Sequence, residues 1–223
     1  MGSENGNERV MVDSWDWVTR VLHWLNAGFV IALILLVFGK EGMESIGIKK
    51  EMREPVNKLH AYMGHAFIVT FFLRVVWGFI GNRYAKWGDM IPYSKERRHA
   101  IGQNLKWYLS GFKGAPYRTA GHDPLASVFY IVLFAVLALQ AVTGIIMSGI
   151  EFHTFPGTLF TGGASDASRK ALGEALEDVH ESGMFFMFFF IAAHLFGIVV
   201  HEVKEKTGLF SSMIHGKKYF PKE

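Results

Sequence analysis

Four predominantly apolar runs, at about 18–39, 58–80, 124–150 and 179–202, dominate this 223-residue chain. Each reaches the roughly 20 residues that a helix needs to cross the hydrocarbon core of a bilayer. Lipid cannot satisfy an open backbone, so spans of this kind fold as helices. The expected fold class is all-α, a membrane protein built as a four-transmembrane-helix bundle over residues 18–203. A polar segment, 1–17, precedes it and a tail, 204–223, follows. The third run opens on Asp123-Pro124, where aspartate suits the cap and proline the first helical position. Residues 1–16 carry acidic side chains and lack the basic and apolar regions of a cleaved signal peptide. The first span is therefore expected to stay in the protein.

Lysine and arginine set the orientation. The N-terminal end through Arg20, the 81–124 loop and the tail hold 15 of them together, against seven in the 39–58 and 150–179 loops. By the positive-inside rule both termini face the cytoplasm. The excess of basic residues thus reads as topology, not as a nucleic-acid surface. Residues 95–110 mix Ile101, Leu105, Trp107, Tyr108 and Leu109 with Lys and Arg, which predicts a short helix on the inner membrane surface.

The chain has no cysteine. That excludes disulfides, cysteine-held iron–sulfur clusters and covalent c-type haem attachment, and leaves histidine or methionine to hold any metal or haem. Histidines at 23, 60, 65, 180, 194 and 201 lie in or beside the spans. His180 and His194 are 14 residues apart, which places them within roughly 40° on one helix face and roughly 21 Å apart along it. With the first helix running outward and the second and fourth inward, depth pairs His60 with His180 near the outer side and His23 with His194 near the inner side. Each pair suits bis-histidine ligation of a haem held between helices. His65 lies about 140° around the helix from His60 and is the alternative ligand there. His201, near the inner rim, is the alternative to His194. Arg20, one turn before His23, and Arg74, inside the second span, are candidates for haem propionates. His99, His122, His153 and His215 read as loop or tail residues without a ligand role.

Arg20-x-x-His23-Trp24, His60-x-x-x-Gly64 with Arg74 and Trp77, Gly81-Asn82-Arg83-Tyr84, Trp107-Tyr108-Leu109, Gly121-His122-Asp123-Pro124, Thr143-Gly144 and the His180–His194 spacing occur in this order. Together they resemble the b-type cytochrome subunit of Ni-Fe hydrogenases, within the bacterial cytochrome b561 superfamily. The resemblance implies two haem b groups ligated by His23, His60, His180 and His194, and a quinone beside one haem. It also implies electron transfer between a periplasmic redox partner and the quinone pool. It favours His60 over His65, because glycine follows by four residues. Lys217-Lys218 and the stretch 155–177 depart from the family pattern, where a partner would dock. Relatives serve hydrogenases, other oxidoreductases or multihaem c-type cytochromes. Two other classes are alternatives. A histidine-lined proton-coupled or metal transporter calls for acidic residues within the spans, whose cores have none; a structural membrane anchor leaves the depth-matched histidines unexplained.

Overall fold

The computed structural model describes residues 8–222; the first seven residues of the polar N-terminal segment lie outside the described residues. In chain order the elements are β1 (Arg9–Asp13), α1 (Trp17–Ser45), α2 (Lys50–Ile80), α3 (Trp87–Met90), α4 (Lys95–Leu109), α5 (Pro124–Phe152), α6 (Thr158–Thr161), α7 (Asp166–Glu205), α8 (Leu209–His215) and β2 (Lys217–Pro221). The helices α1, α2, α5 and α7 are each long and apolar enough to cross a membrane. Large apolar side chains on them stay exposed, among them Val69, Phe72, Phe185 and Phe189. An apolar exterior of this extent is what lipid, not water, would cover.

The helices outrun the apolar runs that predict them, and the outer loops shrink accordingly. Helix α7 has 40 residues and begins at Asp166, so most of the stretch expected as a loop is helical. Its first turns, Asp-Ala-Ser-Arg-Lys-Ala-Leu-Gly-Glu-Ala-Leu-Glu-Asp, are rich in strong helix formers. Ser165 caps them by accepting from the Ser168 N–H at 3.2 Å. Hydropathy sees only polarity there, and a helix that has left the bilayer looks like a loop to it. Asp123 caps α5 as expected, accepting from the Ala126 N–H at 2.9 Å, and Pro124 is its first residue. The helix expected over 95–110 forms as α4, opened by Ser94, which accepts from the Arg97 N–H at 3.1 Å.

The chain divides into two compact units, each taking part of every long helix. One comprises Leu22–Leu73 and Leu133–Phe189. Within it four helical segments pack on one another. The Thr70 hydroxyl of α2 donates to Asn26 of α1 at 2.8 Å. Phe71 meets Phe134 of α5, and Phe38 meets Phe188 of α7, each with ring centres 5.6 Å apart. After α5 the chain doubles back: Thr154 donates to the buried Ser148 hydroxyl at 2.8 Å, and the backbone of Gly157 lies directly against Gly149.

Among the described residues the other unit comprises 8–21, Arg74–Val132 and 190–222. Sequence reading did not foresee its sheet: β1 and β2 pair antiparallel, with Arg9 opposite Pro221 and Asp13 opposite Lys217. The pairing joins strands more than 200 residues apart in sequence, which no local pattern announces. Asp16 accepts hydrogen bonds from the Thr19 N–H (2.7 Å), Trp77 Nε1 (3.1 Å) and the Asn82 N–H (3.2 Å). Those bonds outweigh its partial burial and hold its carboxyl below the usual carboxylate range.

Candidate functional site

The structure brings His60 of α2 and His180 of α7 together, with ring centres 6.4 Å apart and planes at 75°. Two imidazoles on opposite sides of one metal stand about 6.4 Å apart, centre to centre, if each metal–nitrogen bond is about 2.0 Å and each ring nitrogen lies about 1.2 Å from its ring centre. The observed spacing fits that arrangement.

His180 is oriented by a neighbour. Its Nδ1 lies 2.7 Å from the Thr143 hydroxyl of α5. That hydroxyl also lies 2.9 Å from the Leu139 carbonyl, to which it can donate its single proton. His180 Nδ1–H then donates to the threonine oxygen, and Nε2 carries the free lone pair that a metal needs. Gly144, the next residue, faces the ring; a Cβ there would stand 3.4 Å from His180 Cε1. His60 Nδ1 is buried without a hydrogen-bond partner, although the Leu33 carbonyl lies near the ring. A buried ring nitrogen of this kind and an oriented imidazole opposite fit a metal held between them. His65 instead bonds its own helix, Nδ1 lying 2.8 Å from the Ala61 carbonyl, while its Nε2 is buried without a partner.

His194 belongs to the other unit and has an analogous partner. The Tyr130 hydroxyl of α5 lies 3.4 Å from its Nδ1, and Phe190 stacks on its ring at 5.6 Å. Helix α5 thus supplies a hydroxyl to His180 and to His194 of α7, from positions 13 residues apart facing positions 14 apart. Sequence reading noted Thr143 only within a motif and missed Tyr130. The antiparallel register of the two helices was the signal. His23 lies on α1 beside Trp24, ring centres 5.1 Å apart.

The remaining candidates have other engagements. Arg20 donates to the Ile214 carbonyl and so ties α8 to the start of α1. Arg74 is 8% exposed and lies within electrostatic reach of Asp16. Both ring nitrogens of His201 are in use: Tyr108 OH lies 3.0 Å from Nε2 and Glu205 Oε2 2.8 Å from Nδ1. His122, expected as a plain loop residue, is instead enclosed, with Nδ1 2.8 Å from Asp89 Oδ2 and its ring against Trp15 and Tyr130. Burial holds its pKa below the ordinary histidine value, so it donates to Asp89 as a neutral ring.

The family model for prokaryotic cytochrome b561 matches residues 14–216. The chain is 25% identical over 229 residues to a probable Ni/Fe-hydrogenase B-type cytochrome subunit of Rhizobium leguminosarum bv. viciae, covering 97% of this chain and 92% of that one. It is 26% identical to its counterpart in Rhodobacter capsulatus (97% and 85% covered) and 24% to that of Azotobacter vinelandii (98% and 93%). No solved structure matches. With a family match over nine-tenths of its length and four helices able to span a bilayer, the chain belongs to the prokaryotic cytochrome b561 family, the b-type cytochromes that carry electrons within membranes.

Proposed function

We propose that the chain is a diheme cytochrome b that passes electrons across the bacterial inner membrane, between a periplasmic redox partner and the quinone pool. The observation that carries this reading is the His60–His180 pair with its Thr143 support. His60 and His180 hold the outer haem. His23 and His194 hold the inner one, on the strength of their positions along α1 and α7 and of the family's histidine pattern. Arg20 and Arg74 are the cations for its propionates; a guanidinium has five donors, so the bond from Arg20 to Ile214 leaves it capacity. Bound haem b supplies a one-electron iron couple near each side of the membrane.

The protein's own work is to orient the ligands, exclude water and tune ligand basicity. The Thr143 oxygen draws on the Nδ1 proton of His180, which makes Nε2 a stronger donor and favours ferric iron. The hydrogenase-like names of the relatives make a hydrogenase the first candidate for the partner, with a c-type cytochrome as the other. The cytoplasmic placement of both termini rests on the basic loops.

A dithionite-reduced absorption spectrum of the purified, haem-replete protein is expected to show b-type bands, with two haems per chain. Absence of those bands would sink the reading. A finer result concerns Thr143. Thr143→Val should keep both haems but raise the midpoint potential of one by roughly 20–60 mV, since a neutral hydrogen bond is worth about 0.5–1.5 kcal/mol and about 59 mV is tenfold for one electron. A redox titration with unchanged potentials would remove Thr143 from the site.

A further inference from the structure

A chain of buried, titratable groups in the unit that holds both termini has no place in haem ligation. A partly open cavity of about 40 Å³ is lined by Tyr117, Arg118, Asp123, His201, Glu205 and Lys218, among others. That volume admits one or two water molecules, and its walls are polar enough to bind them. From it a line of hydrogen bonds runs inward. Glu205, only 9% exposed in its side chain, has Oε2 2.8 Å from His201 Nδ1. His201 Nε2 lies 3.0 Å from the Tyr108 hydroxyl. That hydroxyl in turn stands 3.8 Å from where a Cβ of Gly197 would lie, one helical turn from His194. Trp107 packs on the His201 ring at 5.4 Å and keeps it in line.

We infer that Glu205, His201 and Tyr108 form a proton relay leading from this cavity toward the His194 stretch of α7, where we place the quinone. The inference rests on the quinone reading above. Reduction of a quinone to a quinol needs protons as well as electrons, and these must cross a protein wall on the aqueous side. In one passage Glu205 takes up a proton from a hydronium ion in the cavity, which leaves water. The Glu205 proton moves to His201 Nδ1 while the Nε2 proton moves to the Tyr108 oxygen, and the Tyr108 O–H proton goes to the reduced quinone oxygen. One proton is translocated and no electron moves along this path; reorientation of the His201 ring, which presents its remaining N–H to Tyr108 again, resets it. Charges from each surrounding element suit the task. Glu205 Oε1 is buried with Arg118 Nε at 3.6 Å and accepts no hydrogen bond, so the carboxylate keeps an oxygen free to take a proton. Lys218, on β2, donates to the Gly121 carbonyl at 2.7 Å, and burial brings its pKa down to about 8. Asp123 lines the cavity from the start of α5. Burial, with the Asp123 and Glu205 carboxylates, pushes the Tyr108 phenol up to about 12, so it stays a proton carrier and does not ionise.

The test uses the full-length, haem-loaded protein in detergent, reduced with dithionite and mixed rapidly with one of two oxidants. Ubiquinone-1 or menaquinone-1 takes electrons with protons; ferricyanide takes electrons alone. Glu205→Gln and Tyr108→Phe should slow haem reoxidation by the quinones roughly 10- to 100-fold, the range of a lost proton donor. Each should leave the ferricyanide rate and the haem spectrum as in wild type, and Glu205→Asp should recover part of the quinone rate. Equal slowing with both oxidants would make the cluster structural and overturn the relay, as would quinone rates that do not change. If wild type reacts with ferricyanide but with neither quinone, the quinone reading itself fails, and the relay with it.

Discussion

His60→Ala is expected to leave the purified protein with about half the haem of wild type, while His65→Ala retains the full complement. The two residues sit five apart on one helix, so they face directions about 140° apart and cannot serve the same iron. Only the His60 ring lies opposite His180 at the spacing of a shared metal. On the proposed ligation, losing it would leave the outer haem a single ligand, oriented by Thr143 but unopposed, which purification in detergent is expected to strip. His65 holds its place through the Ala61 carbonyl. Haem per chain, measured as the pyridine complex, reads this directly, and a redox titration of His60→Ala should show one remaining potential. The reverse outcome would assign the ligand to His65, whose buried Nε2 has no partner.

The second large effect lies where the chain folds back after α5. A Cβ at Gly157 would stand 2.7 Å from the Gly149 Cα and closer still to the Ile145 carbonyl, and one at Gly149 would stand 2.6 Å from the Gly157 Cα. The obstacles are backbone atoms, so no side chain can move aside. Gly149→Ala and Gly157→Ala should each cost about 1–3 kcal/mol by overpacking. The loss should appear as a lower midpoint for thermal loss of the haem absorbance. Alanine at Gly42, where nothing lies within 4 Å, is the matched control and should leave the midpoint in place. Because this contact sits five residues from Gly144, which faces His180, the glycine variants should also broaden the outer haem's redox transition. Wild-type midpoints in both would show that the fold-back contact is dispensable.

Much of the architecture was legible in advance, and the reason is the solvent. A bilayer demands a long apolar run for every crossing, so four runs gave four helices, and Asp123-Pro124 marked one start to the residue. Histidines are costly in such runs, so their depths along each helix could be compared before any contact was known. The meeting of His60 with His180 follows from that comparison and is present in the structure. Outside the bilayer the same logic fails. The first turns of α7 are polar and helical, and hydropathy reads them as loop; His122 looks like a loop residue, yet it is enclosed by Asp89, Trp15 and Tyr130 contributed from distant positions.

The sequence by itself determined the spanning helices, their order and the depth of each histidine, because length, hydropathy and the rise of a helix are properties of a single segment. Tertiary structure alone decided which hydroxyl orients each histidine of α7, that both nitrogens of His201 are taken, that Gly149 and Gly157 touch, and that the two chain ends pair as a sheet. Those facts depend on the rotation of one helix about its axis relative to another and on chain ends meeting across most of the sequence. Side chains on both partners settle such relations jointly, and neither segment carries them alone.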